Sequence, residues 1–331
     1  MGVYKKMIRA MKYSIITILV FLFIVGLPAC KRRAAEGNKQ NDKDVAAFSQ
    51  AERIRKFIPA LPPSTLNPDE HRIYMVEHYW DKFDFSDTLF IAEVDTSHMV
   101  TAYAIYAAGY VPDSLAHSAM SRLMQRASTS RRMFDYFMML SETVLHDPNS
   151  PMRDDEKYIP VLEAAVKTPF YDEWERMPYE SDLAMAKQNR VGHKANDFLY
   201  TMASGRSRKM YDIKADYLLI FISNPGCPMC RDVSEQLTAS PLLNELSERG
   251  EFKVLVIYPD EDLEAWREHL GDYPTSWINA YDKGGVITSK RLYDLKAIPA
   301  LYLLDGEKRV MAKDCADVEY IEHLISENES L

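Results

Sequence analysis

The sequence predicts two domains in series, an all-α region followed by an α/β domain whose central sheet is flanked by helices. At 331 residues the chain exceeds one ordinary domain, and length alone suggests about two. From Ala51 to about Asn189 the apolar residues recur at three- and four-residue steps, the period of helices packed on one face. After Asn189 the period changes to short apolar runs alternating with amphipathic stretches, as strands and helices in turn require. A composition of 47% hydrophobic and 27% charged residues is that of a globular protein, and a net charge of −9 offers no basic surface for nucleic acid.

Residues 1–30 do not belong to either domain. Lys5, Lys6, Arg9 and Lys12 give a positive n-region, and the apolar run from Ile15 to Gly26 has a signal peptide's length, too short to span a membrane comfortably. Leu27-Pro28-Ala29-Cys30 resembles the lipobox of bacterial lipoproteins, in which cleavage precedes the cysteine and its thiol carries diacylglycerol. That resemblance implies lipidation at Cys30 and a lipid-anchored, periplasm-facing protein of the bacterial cell envelope, at the inner or the outer membrane. Pro28 departs from the pattern, and the alternative is an ordinary signal peptide or an uncleaved anchor with Cys30 incidental. One acyl chain binds only reversibly, so stable anchoring needs several. Residues 31–50 are charged, polar and nearly free of large apolar groups, the composition of a tether, with an end-to-end distance on the order of 25 Å if flexible.

Residues 51–188 read as the helical domain. Asn67 is the expected N-cap of a helix with Pro68 at its first position and Asp69 and Glu70 in its first turn. Met133, Phe137, Leu140 and Val144 mark another helix, and two more are expected from Asp154 to Lys167 and from Tyr171 to Asn189, bent or interrupted by Pro160 and Pro178. Tyr74, Tyr79, Trp80, Tyr103, Tyr106, Met138, Met139 and Trp174 fall at helical spacing, which favours core packing over an aromatic groove. The histidines are single, without the spacing that sets two metal ligands on one helix face.

Residues 189–331 form the second domain. A hairpin is expected around Gly205, and Tyr217 to Ser223 is a continuous apolar run typical of a strand covered on both faces. A helix follows from about Pro228 into the stretch SPLLNELSERG, then a second buried strand from Phe252 to Tyr258 and a helix over EDLEAWREHL. SWINAY is a further strand, VITSKRLYDLK reads as helical, two strands turn at Asp305-Gly306, and a last helix carries Val318, Ile321 and Leu324 on one face.

Cys227 and Cys230, in the stretch ISNPGCPMCR, carry the chemistry. At the start of a helix the first sulfur lies over unpaired backbone N–H groups, whose partial positive charge favours thiolate, so Cys227 is the expected nucleophile. Cys230, one turn deeper, is placed to resolve the mixed disulfide. Pro228 suits the first helical turn and Met229 adds no charge. Zinc needs four ligands where only Cys315 and isolated histidines remain, a permanent disulfide within one helical turn would be strained, and a peroxidase wants a hydroxyl residue where Asn224 stands. No metal and no cofactor beyond a redox-active Cys227–Cys230 disulfide is expected.

The pieces GHKANDF, LLIFISNPGCPMC, VLVIYPDEDLEAW and LYDLKAIPALYLLD, in that order, resemble a thioredoxin-fold domain of the lipoprotein and periplasmic thiol-disulfide oxidoreductase type (TlpA-like), with its central mixed sheet. The resemblance implies a cis proline at Pro299 facing the redox pair, with the Ile298 backbone presented to an extended substrate; Pro228 and Met229 complete the candidate substrate-binding residues. Read alone, Pro299 is an edge-strand proline. Three departures stand out: Pro225-Gly226 replaces the usual tryptophan before the first cysteine, Phe221 stands where many relatives bury an aspartate, and Val233 where others carry a glutamate. No general base for Cys230 is identifiable, and Arg231 and Asp232 read equally as a solvated face. Residues 50 to 180 resemble a helical domain found ahead of thioredoxin-like domains in lipoproteins of the Bacteroidetes, which brings no known chemistry. The resemblance implies exchange with disulfide-containing envelope proteins, fed by an unidentified inner-membrane electron donor. The absence of a histidine between the cysteines favours a reductase or isomerase over an oxidant. The alternative is a thioredoxin-fold binding module of an envelope assembly with little redox activity. Cys315 is either a small apolar residue before the last helix or a third thiol near the substrate groove.

Overall fold

The computed structural model describes residues 55–329; Cys30 and the signal-peptide and tether expectations lie outside the described residues. In the helical region, α1 (Pro68–His78) begins with a capping box: Asn67 Oδ1 accepts the N–H groups of Asp69 and Glu70, each at 3.0 Å, and Glu70 returns to the Asn67 N–H at 3.0 Å. There follow α2 (Thr96–Ala104), α3 (Ala116–Ala127), α4 (Arg131–Ser141), α5 (Asp155–Lys167) and α6 (Glu173–Ala186). Both α2 and α4 run on into π-helical turns, Ile105–Tyr110 and Glu142–His146. Tyr79, Trp80, Tyr103, Tyr106 and Met138 are core residues. Trp80 meets Phe57 in a stack 4.8 Å between centroids, and the buried Tyr103 hydroxyl is satisfied by Ser141 Oγ at 2.6 Å. Trp174, 77% exposed, is the exception.

The second region is one seven-stranded sheet in the order β2-β1-β5-β4-β3-β6-β7. Its strands are β1 (Leu199–Met202), β2 (Ser207–Lys209), β3 (Tyr217–Ile222), β4 (Phe252–Tyr258), β5 (Ile278–Tyr281), β6 (Ala300–Asp305) and β7 (Val310–Cys315). The sheet is mixed: β3 pairs parallel with β4 and antiparallel with β6, and the β1–β2 hairpin turns through Gly205 at φ +79°. All six β3 residues are buried, and strand alternation deals them to two cores. Leu218, Ile220 and Ile222 face one side, while Tyr217, Leu219 and Phe221 face the other with Cys230, Val233 and Leu237. The outer edge of β7 is sealed by the segment leaving the helical region, through Gly192 N–H to Val310 O at 2.8 Å and Val310 N–H to His193 O at 2.9 Å.

Three elements differ from expectation. The long helix after the cysteines is two, α7 (Pro228–Ala239) and α8 (Pro241–Glu248). Pro241 forces Ser240 out of the helical region (ψ 115°), and the Ser240 hydroxyl caps α8 by accepting the Leu243 N–H at 3.1 Å. After α9 (Leu263–Glu268), the helix expected over VITSKRLYDLK is only α10 (Val286–Ser289), because Arg291 turns left-handed (φ 52°). The N–H groups of Arg291 and Leu292 then reach back to Thr288 O and Ile287 O at 3.0 and 2.9 Å, which stops the helix and turns Tyr293 into the core. Conversely, α5 and α6 run through Pro160 and Pro178. Pro160 lies in the buried face of α5, whose packing offsets one lost backbone bond; Pro178 is exposed, so the orphaned carbonyl of Trp174 is open to water. The chain closes with α11 (Val318–Glu329), burying Val318, Ile321 and Ile325, with Leu324 partly buried.

The helical region meets β7 through charged groups. Lys313 Nζ reaches Asp155 Oδ2 at 2.7 Å and the carbonyls of Ala186 and Gln188 at 2.8 and 2.7 Å. Arg153 sits 3.1 Å from Asp314 Oδ2, while Asp314 Oδ1 has no partner. Burial outweighs Arg153 and pushes the Asp314 carboxyl up to about 7. Because the unfolded carboxyl ionises near ~3.9, this group contributes stability at low pH that is lost as pH rises through its folded value. Relative to Asp314→Asn, the wild type is therefore expected to lose roughly 2 kcal/mol between about pH 5 and about pH 8 in urea unfolding. A pH-independent difference between the two proteins would contradict it.

Candidate active site

β3 delivers the chain to the site. The strand ends at Ile222, and the turn Ser223 to Gly226, with Gly226 at φ +70°, swings Cys227 into the N-cap position of α7. There Cys227 Sγ accepts the backbone N–H of Cys230 at 3.2 Å, while Pro228 takes the first helical position, where a missing N–H leaves nothing unpaired. Cys227 is half-buried; Cys230 is 1% exposed and packs into the core beside Phe221 and Val233. Burial, followed by the hydrogen bond to Cys227, pushes the Cys230 thiol up to about 11. The Ser223 side chain and the Asn224 backbone act in the opposite sense and temper that rise. The two sulfurs thus occupy unlike surroundings, one at a helix start and one in a core.

A cleft of about 660 Å³ opens beside the pair, lined by Cys227, Pro228 and Cys230 from α7 and by Trp266, His269 and Tyr273 from the segment after β4. His269 Nδ1 lies 2.7 Å from Asp272 Oδ2 in its wall. Two buried polar atoms there, Asn224 Oδ1 and Asn279 Nδ2, have no hydrogen-bond partner among the described residues. Asn279 spends its Oδ1 on Trp266 Nε1 at 3.0 Å. Arg231 is exposed and 3.9 Å from Glu235, a solvated pair. Among the described residues no group of three or more His, Cys, Asp or Glu is arranged to hold a metal ion.

Of the residues expected at the site, Cys227, Pro228 and Cys230 line this cleft. Met229 is 58% exposed beside it. The Ile298–Pro299 peptide is cis, and Pro299 leads into β6, which pairs Ala300 with Ile222, so it stands on the opposite side of β3 from the cleft. Ile298 packs on the same core cluster as Cys227 and Cys230. Cys315 ends β7 opposite Leu301, half-buried on that cluster and outside the cleft, with its thiol pushed up to about 12 by burial. Sequence reading missed Tyr273 and Trp277, which stack 6.0 Å apart behind Phe221, because nothing local to the cysteines announces a partner this far along the chain.

A solved structure of a thioredoxin-like protein from Bacteroides caccae ATCC 43185 is 41% identical, covers 82% of this chain and 98% of its own, and superimposes with a TM-score of 0.77. This chain belongs to the thioredoxin-like proteins. Residues 215–310 match the Thioredoxin-like family model, and residues 29–189 match a domain of unknown function, DUF5106. The C-terminal domain of an uncharacterized protein from Bacteroides fragilis NCTC 9343 is 46% identical over 42% of this chain and 98% of its own, with a TM-score of 0.41. Nucleoredoxin of Mus musculus is 23% identical over 111 residues, 33% of this chain, and the chain spans only 25% of that protein's length. The match to the Bacteroides caccae protein spans both regions, and the Thioredoxin-like family model lies within the sheet domain.

The surroundings of Cys315 in this thioredoxin-like domain generate a measurement. After mild oxidation with diamide, a thiol-reactive mass tag is expected to label Cys315 alone among the three cysteines of the described residues, and only once the protein is unfolded. Labelling of the folded protein at Cys315 near neutral pH would assign that thiol a reactive role instead.

Proposed function

We propose that this protein is a membrane-tethered thiol-disulfide oxidoreductase that exchanges disulfides with envelope proteins through Cys227-Pro228-Met229-Cys230, as a reductase or isomerase. The observation that carries the reading is the inequality of the two sulfurs: Cys227 is reachable and capped by a backbone N–H at 3.2 Å, whereas Cys230 is buried directly behind it. In reduction, the Cys227 thiolate attacks one sulfur of the substrate disulfide; that S–S bond breaks, its other sulfur leaves as a thiolate and takes a proton, and a mixed disulfide forms. Cys230 then loses its proton and attacks the Cys227 sulfur. The Cys227–Cys230 bond forms, the second substrate sulfur leaves as a thiol, and two electrons have passed to the substrate. An inner-membrane donor of unidentified type returns two electrons to the pair.

Pro228, Met229 and the Ile298–Pro299 edge would contact the substrate chain, with the unpaired Asn224 Oδ1 and Asn279 Nδ2 available to its peptide groups. Lipidation at Cys30 would hold this exchange at the membrane surface. Insulin reduction with dithiothreitol is expected to fall to the uncatalysed rate in Cys227→Ser, while Cys230→Ser keeps the first attack and accumulates a mixed disulfide. Equal rates for wild type and Cys227→Ser would instead leave a binding module.

A further inference from the structure

Between α10 and β6, residues 292–299 belong to no helix or strand, so side chains must fix their course. β6 pairs Ala300 with Ile222, the last residue of β3, and the same antiparallel register carries Pro299 and Ile298 alongside the turn that delivers Cys227. Ile298 packs on the cluster that holds both Cys227 and Cys230. Two points of the helical region and the junction residue Asn189 grip the approach to this edge. Arg291 donates to the Ser181 hydroxyl and, at 3.0 Å, to the Ser181 carbonyl, both on α6. The Leu292 carbonyl accepts Asn189 Nδ2 at 2.7 Å; Asn189 follows α6, is 5% exposed, and is itself held by the Asn196 N–H on its Oδ1 at 2.7 Å. Lys296 Nζ lies 3.3 Å from His146 Nδ1 in the π-helical turn after α4. An ammonium has hydrogens to give and no lone pair, so that ring nitrogen is the acceptor.

We propose that the helical region acts on the redox site by positioning this edge: Ser181, Asn189 and His146 are positioning residues that hold residues 291–296 and, through them, the Ile298–Pro299 edge against which the substrate chain lies. None of the three lines the cleft beside Cys227, so their effect reaches the site only through the segment they hold. A segment with no ladder of its own samples many backbone states unless its side chains are tied, and those states move Ile298 relative to the sulfurs. Held at Arg291, Leu292 and Lys296, it meets the substrate already ordered, and less ordering is left to oppose binding. The helical region thereby favours substrate binding and leaves the sulfur chemistry to Cys227 and Cys230. What binds at the edge rests on the disulfide-exchange reading, whereas the hold itself does not.

Amide hydrogen exchange, followed by mass spectrometry on the full chain, reads the hold with no substrate present. His146→Phe keeps the stack on Tyr158, 4.7 Å between ring centroids, and removes the acceptor for Lys296. Ser181→Ala removes the hydroxyl that Arg291 meets. In the double variant the peptide spanning residues 291–298 is expected to exchange hydrogen roughly tenfold faster, with β3 and α5 unchanged. KM for insulin reduction is expected to rise roughly fivefold at unchanged kcat, because binding is lost equally from the ground and transition states. Unchanged hydrogen exchange at 291–298 overturns the hold. Acceleration throughout the chain overturns it as well, since the variant then weakens the fold as a whole. Faster exchange at 291–298 with KM unmoved overturns the positioning role. If the double variant fails to fold, Arg291→Met, at an exposed side chain, breaks both contacts to Ser181 and is judged by the same two readouts. Absence of insulin reduction by the wild type, with hydrogen exchange at 291–298 still accelerated in the variant, would reject the disulfide-exchange reading while leaving the hold in place.

Discussion

Everything at the site follows from the register of β3. This strand is buried along its whole length between a parallel and an antiparallel neighbour, so it cannot slide. A slip of one residue would exchange its two faces and send Leu218 and Ile220 toward α7 in place of Leu219 and Phe221. The same alternation decides what lies beyond the strand end. Ser223 follows Ile222 and so returns to the face of Phe221, the face on which α7 packs and Cys230 is buried. Ser223 and Cys230 therefore share one face of the sheet because of strand parity, and the turn to Gly226 then has only to carry Cys227 to the helix start.

The docking of the helical region has a different character. Lys313 and Asp314 lie on β7 among groups from α5, α6 and the residues that precede the first and follow the second, largely withdrawn from water. Pairs of this kind recover little net free energy against the loss of hydration, but they penalise every arrangement that leaves one member unpaired. Such an interface fixes orientation more than it adds stability. It also lies near the segment preceding Pro299: Lys296 Nζ is 2.8 Å from Asp294 and 3.3 Å from His146 Nδ1 of the helical region, and Arg291 donates to Ser181 O at 3.0 Å. The helical region is thus built against the β6 side of the redox pair, away from the cleft.

Legibility in the sequence tracked how local each cause is. Strand β3 and β4 were readable because a run of apolar, β-branched residues has few other uses, and the cap at Asn67 because all its parts lie within one turn. The cysteine pair was readable from its spacing, whereas the cis Ile298–Pro299 peptide followed only from the resemblance to thioredoxin-fold domains. Helix ends were harder. Nothing in VITSKRLYDLK but a left-handed arginine stops the helix at Ser289, and that conformation is imposed by the burial of Tyr293, a tertiary effect. Prolines 160 and 178 misled in the opposite sense, since packing and hydration each made good one lost bond. Ser223 and Tyr273 were invisible for the plainest reason: each is unremarkable in its own segment, and only the closure of the cleft brings them together.

That closure also explains how the end of β3 stays dry beside an open cleft. Phe221 packs in the core against the rings of Tyr273 and Trp277, so the centre of the sheet carries no polar group there. The polar atoms lie one step further on, where the Ser223 and Tyr273 hydroxyls pair at 2.5 Å. A hydroxyl withdrawn from water without a partner costs free energy, so each of the two is stable in its place only while the other is present. The pair therefore ties the cleft wall after α9 to the strand that delivers Cys227, and the shape of the cleft is set by the same contact that satisfies the strand end.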